Sequence, residues 1–290
     1  MLRQKGENMS NTKKLIIFVA IILLLSALGS CMLTGTARFA FSGFRGPKET
    51  SKTYELKDSF NAISVETDTG NITILPAKDG KAKVVRTGSN VNNFSLKTSG
   101  KHLTISDKDK RLWPFRIGTY AGKSEITIYL PKTTYQTLQV KSNTGSTDLR
   151  PGGSFENMDI KTDTGSVNIS SVSVSDDMKV KTATGRITLT DVMAEDLSVK
   201  SNTGSITLQH AIATDEMEIK SDTGSVNLER CDGPKIDIKT DTGSIKGTLL
   251  TGKNFEAKSD TGRVSIPAST PGGSCKIESD TGSITIEIEK

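Results

Sequence analysis

VKTATGRITLTDVMAEDLSVKSNTGSITLQHAIATDEMEIKSDTGSVNLER, residues Val180–Arg230, contains three Thr-Gly turns, at Gly185, Gly204 and Gly224, each set between runs of alternating apolar residues. Five residues before the glycines stand Val180, Val199 and Ile219, and seven before them Met178, Leu197 and Met217. Two residues after come Ile187, Ile206 and Val226, and four after, Leu189, Leu208 and Leu228. Alternation with period two on both sides of a turn predicts two short strands per repeat, each with one buried face.

Outward from this stretch the same unit recurs at Gly145 and Gly165 and again at Gly243, Gly262 and Gly282, at spacings of 19 or 20 residues, with an earlier copy at Gly70. A stack of hairpins and a solenoid with one coil per repeat both fit two strands and a turn. Propeller blades need about twice this period. A near-constant period with the same residue type at each aligned site favours coils stacked like on like. The expected fold is therefore all-β, a single-stranded β-solenoid (β-helix) of 19–20 residues per coil. Energetics agree: ordering twenty residues costs about 20–40 kcal/mol of backbone entropy, whereas burying four or five side chains returns about 10 kcal/mol. One coil cannot stand alone, and stacking supplies the rest. The composition, 34% hydrophobic and 5% aromatic, is lean for a thick core and sufficient for a thin repetitive one.

Ahead of the repeats, Leu15–Leu33 is nineteen residues without a charge, the length of a membrane-crossing helix. Lys13 and Lys14 before it place the N-terminus inside and the remainder outside the cytoplasm. Leu28-Gly29-Ser30-Cys31 also resembles the lipobox of bacterial lipoproteins, in which Cys31 would be lipidated after cleavage. An uncleaved transmembrane helix and a cleaved lipoprotein signal both remain open; both expect the main domain outside the cytoplasm, on a single-pass or lipid-anchored chain. The organisation expected is an anchor over residues 1–33, a tether over 34–53 and a solenoid over 54–290.

Of the formal charge of +5, residues 1–30 supply +3, through Arg3, Lys5, Lys13 and Lys14 against Glu7. The rest of the chain is nearly balanced, which argues against nucleic acid as a partner. Cys31, Cys231 and Cys275 match no metal spacing, and His102 and His210 form no cluster with them, so neither metal nor cofactor is expected. For Cys231 and Cys275, two buried reduced thiols are the favoured expectation, and a disulfide formed outside the cell is the alternative.

The repeated (K)-(S/T)-(D/N)-T-G-(S)-(V/I)-x-(I/L) unit, the opening FNAISVETDTGNITI (Phe60–Ile74) and ITIYLPKTTYQTLQVKSNTG (Ile126–Gly145) together resemble the bacterial putative-adhesin family, which includes the LiaG-like envelope proteins of Firmicutes. The resemblance spans roughly residues 54–290. It implies an extracytoplasmic β-solenoid domain, with adhesion or an envelope-stress response as its setting, and it carries no catalytic residues across.

Asp-Thr-Gly-Ser, starting at Asp163, Asp222, Asp241 and Asp280, looks like the aspartic-protease signature. Such enzymes need two carboxylates sharing a proton. Here the aligned position is Asn143, Ala183 and Asn202 in other coils, so the turn does not require an acid. Local hydrogen bonding and a glycine at positive φ account for the motif. A row of acids could hold calcium, but the pattern differs from the calcium-binding nonapeptide. Four residues before the glycine, from Gly145 to Gly262, stands a lysine, Lys181, Lys200 and Lys220 among them, forming either a solvated face or an array for an anionic cell-wall polymer or anionic lipid headgroups. Between the apolar positions, Lys, Ser, Thr, Asn and Asp read as the wetted side of the strands. The non-repetitive stretch Asp107–Lys123 gathers Lys110, Arg111, Trp113, Phe115, Arg116 and Tyr120, a cluster that either grips a partner or caps the stack. The function expected is a membrane-anchored binding or scaffolding protein of the cell envelope, with a glycan, an anionic polymer or an envelope protein as partner and no enzymatic activity. The alternatives are a polysaccharide-active β-helix enzyme and a ligand-free spacer or signalling accessory.

Overall fold

The computed structural model describes residues 50–88, 94–108 and 124–289, and the chain divides after Arg45, so that all of these belong to the unit Gly46–Lys290. The anchor and most of the tether lie outside the described residues. The last residues of the tether range do not act as a linker: Thr50–Glu55 is a strand, paired antiparallel with Lys83–Gly88. Among the described residues no helix is long and apolar enough to cross a membrane.

The described part is all-β, a parallel solenoid in which each turn glycine marks one coil. In the Gly224 coil the first arm is Glu216–Thr223 and the second Val226–Cys231. The first arms stack in register, Ile219 pairing with Ile238 on one side and Val199 on the other, while the second arms slip once, between Leu228 and Cys231. The inward residues of both arms are essentially inaccessible, Val180, Ile187, Leu189, Val199, Ile206 and Leu208 among them. Period-two patterning thus closes a continuous core one residue thick from each arm. Where the chain is bulkiest, the core carries an aromatic ladder, Phe60 over Tyr135 at 6.1 Å and Tyr135 over Phe155 at 5.5 Å between ring centroids. Cys231 and Cys275 are both buried and free.

Three features depart from the simple two-strand coil. First, the second arm bends. Ser171, Asp191, His210 and Arg230, each six residues after its glycine, adopt φ between 51° and 56°. The inward phase slips by one there, from Leu189 to Val192, so the arm turns a corner and closes the core from a third direction. Second, the Ser or Thr three residues before the glycine is not wetted. Thr162, Thr182, Ser201, Ser221, Thr240 and Ser279 are all at most 3% exposed. The hydroxyl turns inward beneath the stacked turns: Thr240 donates to the Gly224 carbonyl at 3.2 Å, Ser279 to Gly243 at 3.2 Å and Ser259 to Gly282 at 2.8 Å. A small side chain fits this place and, where its hydroxyl is aimed at that carbonyl, satisfies it; the Thr162 and Ser221 hydroxyls are buried there without a hydrogen-bond partner among the described residues. The reading of these residues as surface is corrected accordingly.

Third, the ends of the stack are not in chain order. The first arm of the Gly243 coil pairs with that of the Gly282 coil, which in turn pairs with that of the Gly262 coil, so the last coil is inserted before the penultimate one. At the other end, the Gly70 coil lies between the Gly145 coil and the strands His102–Asp107 and Glu125–Leu130. Antiparallel strands then close that end, Phe94–Ser99 on His102–Asp107 and Lys83–Gly88 on Glu125–Leu130. The C-terminal coil is therefore held inside the stack, one coil from its edge, while the first described strand, Thr50–Glu55, lies at the outer edge of the other end on Lys83–Gly88.

Candidate binding faces

The first arms present three rows to solvent. The lysine row is real and regular, because parallel register sets Lys161, Lys181, Lys200, Lys220 and Lys239 side by side. Its compensation comes less from the turn aspartates than from the position two residues earlier. Lys161 bonds Asp159 at 2.8 Å, and Lys200 reaches Glu218 at 2.7 Å in the next coil, where Lys220 also meets it. Burial works to raise the Glu218 carboxyl, but hydrogen bonds from Lys200, Lys220 and Ser198 outweigh it and pull its pKa down to about 2. Lys181 has no ion-pair partner among the described residues. Of the three candidate lysines, then, two converge on one carboxylate and one stands open.

The turn aspartates form the next row. Asp163, Asp222, Asp241 and Asp280 are exposed, each in its own coil, and Asn143 donates to Asp68 at 3.1 Å. Nothing holds two of them around one proton in a sheltered site, which is what acid proteolysis requires. The bent second arms form a different face, uncharged over its middle: Asn168, Thr188, Thr207 and Asn227 lie in one row. At the corner, His210 meets Asp191 at 3.0 Å.

The structure adds a site that the repeats did not point to. Arg86, from Lys83–Gly88, bonds Asp107 through Nε at 3.3 Å and through a terminal nitrogen at 3.2 Å, with both side chains under 8% exposed. Ser124 donates to the same carboxylate oxygen at 2.8 Å. Asp107 pairs with Thr67 and so occupies the inward hydroxyl position of its coil. In sequence it reads only as the first residue of the irregular stretch. Asp107 and Ser124, on either side of that stretch, meet at a single clamped point, where regular coils have the two-residue turn. Lys110, Arg111, Trp113, Phe115, Arg116 and Tyr120 themselves lie outside the described residues, as does Cys31. Near the same end a cleft of about 830 Å³ opens between Leu56, Phe60, Ala82, Pro131 and Tyr135, rimmed by Lys57, Asp58, Asp79 and Lys81. A shallower trough of about 530 Å³ runs beside the corner residues Ser171 and Asp191 and the half-exposed Met193.

Comparison with known proteins places this geometry. No curated protein matches the chain. Among solved structures, one from Parabacteroides distasonis described as a "putative lipid binding protein" is 13% identical, with a TM-score of 0.46 over 82% of this chain and 97% of its own. A Bacteroides fragilis structure described as a "putative adhesin" is 17% identical, with a TM-score of 0.38 over 83% and 98%. The family model named Toastrack DUF4097 matches twice, over residues 60–211 and 174–290, so the two matches run from the first coil to the last, and the chain belongs to the Toastrack DUF4097 family.

Proposed function

We propose that this protein is a membrane-anchored, extracytoplasmic binding or scaffolding module of the cell envelope, and that the solenoid works as a rigid display surface with no catalytic centre. One observation carries the reading: the regular part of the stack repeats the same polar rows coil after coil, spreading charge evenly where an enzyme concentrates it in one cleft. The partner this suits is itself repetitive, an anionic polymer or glycan laid along the lysine row. Such a ligand competes with Glu218 for Lys200 and Lys220 and finds Lys181 already open. The uncharged run Leu15–Leu33 and its flanking lysines support the outward placement.

Binding of the solenoid to anionic cell-wall polymer or to anionic lipid vesicles is expected to fall steeply with salt, since exposed charges are screened beyond about 8 Å at physiological ionic strength. Changing Lys181, Lys200 and Lys220 together to Gln is expected to weaken it. Unaltered binding by that triple variant on a glycan and lipid array would remove the lysine row from the account. The placement is tested separately. Protease added to intact protoplasts is expected to digest the solenoid, and full protection would overturn the extracytoplasmic reading. Palmitate labelling that disappears in Cys31→Ala would select the lipoprotein form of the anchor.

A further inference from the structure

The inserted order of the last two coils raises a question of specification: the Gly262 coil comes first in the chain and has the same turn, yet the Gly282 coil takes the place next to Gly243. In the preceding coils the lysine row stacks like on like and Glu218 faces Asp237, whereas the outward side chains of the last three first arms alternate in both rows. Asp237 faces Lys276, which faces Glu256; two residues along, Lys239 faces Glu278, which faces Lys258. Both rows alternate in sign. Stacked in chain order, the same arms would put Asp237 against Glu256 and Lys239 against Lys258, like on like in both rows.

We propose that these six charges select the inserted order, Lys276 and Glu278 marking the last coil for the interior position and Glu256 and Lys258 excluding the penultimate coil from it. Opposite charges directly across neighbouring strands stabilise a pairing and like charges oppose it. The Glu278 carboxyl is held below its ordinary range by Lys276 beside it and then by Lys239 and Lys258 on the flanking arms. The cores point the same way. The Gly282 coil brings Ile277, Ile284 and Ile286, all at most 3% exposed, whereas the edge coil brings Ala257 and a Val264 left 38% exposed. The edge coil packs Phe255, Ala257 and Ile266 against the core only partly buried, and its free side is partly sealed by its own loop, the Phe255 amide donating to Ser269 at 2.9 Å and the Thr270 amide to the Lys253 carbonyl at 2.9 Å.

The order can be read by cysteine pairs at exposed positions in the full-length chain. Lys235→Cys with Ser274→Cys links neighbours of the inserted order. Lys235→Cys with Asn254→Cys links neighbours of the chain order only, because in the inserted order those residues are two strands apart, roughly 10 Å, beyond the reach of about 7 Å between α-carbons for a disulfide. With the native charges the first pair is expected to close on oxidation and the second to stay open. Exchanging the markers, Glu256→Lys, Lys258→Glu, Lys276→Glu and Glu278→Lys together, keeps the net charge and core while making the chain order the alternating one. It is expected to raise closure of the second pair relative to the first by about tenfold, an effect that high salt erases. Predominant closure of the second pair with native charges at low salt would refute the inserted order. An unchanged ratio in the exchanged chain, with both chains melting cooperatively, would refute the role of the charges. Should the exchanged chain fail to fold, the native-charge pairs refolded at low and high salt decide instead: a rising share of the second pair at high salt supports the proposal, and an invariant share overturns it.

Discussion

Gly224→Val is expected to lower the melting temperature of the solenoid far more than Asp222→Ala, two residues away in the same turn. Gly224 has φ of 151°, and a β-carbon there would lie 2.2 Å from the Gly204 carbonyl oxygen. The obstacle is backbone and cannot swing aside. The turn of Gly243 rests on Gly224 in the same way, at 2.2 Å, so displacement in one coil disturbs both neighbours. The strained φ costs about 1–3 kcal/mol and the overpacking about 1–3 kcal/mol more. Asp222 is exposed, and its place is filled by Ala183 in another coil, so its loss should cost no more than about 1 kcal/mol. Thermal melts of the two variants check the ranking. The same pair tests the protease signature: pepstatin-sensitive peptide cleavage by the native chain, abolished in Asp222→Ala without a change in melting, would contradict the structural account of these turns.

Truncation after Gly272 is expected to release two coils. The removed segment carries Gly273–Thr281 and Ile284–Ile288, the strands on which Lys253–Thr261 and Val264–Ser265 pair. Its buried Ile277, Ile284 and Ile286 are each worth about 1.5–3 kcal/mol, and the edge coil loses its floor with them. Hydrogen exchange should show residues 253–266 unprotected in the truncated chain while Glu216–Thr223 keeps its protection. A stack in chain order would lose only what was cut. Protection of 253–261 retained at the level of the intact chain would therefore count against the inserted arrangement; re-docking on the Gly243 coil would have to set Lys258 against Lys239.

Much of this was legible in the residues. Val180, Ile187, Leu189 and their counterparts announce inward faces because burial is set by side-chain chemistry at a fixed period, and the turn glycines announce themselves because no other residue tolerates both the dihedral angle and the contact. The lysine row followed from register alone. Other features were not legible, each for its own reason. The inward Ser and Thr before the turn look like surface residues in a linear string, since it is the stacking of coils that encloses them, with the glycine carbonyl of a neighbouring coil as partner for Thr240 and Ser279. The corner residues Ser171, Asp191, His210 and Arg230 share no side-chain type, because what they share is a backbone bend imposed by closing the coil. Asp107 resembles a loop residue until Arg86, twenty-one positions earlier, is brought against it.

By itself the sequence determined that this chain is a β-solenoid of regular coils, which residues face its core and where each coil turns, for these are properties of a repeat and its nearest neighbours in the chain. Which coil lies on which was decided only in the tertiary structure. Every coil has nearly the same apolar pattern and the same turn, so short-range preferences leave the chain order and the inserted order alike; contacts between coils, in charge across the arms and in the fit of core side chains, are what tell them apart.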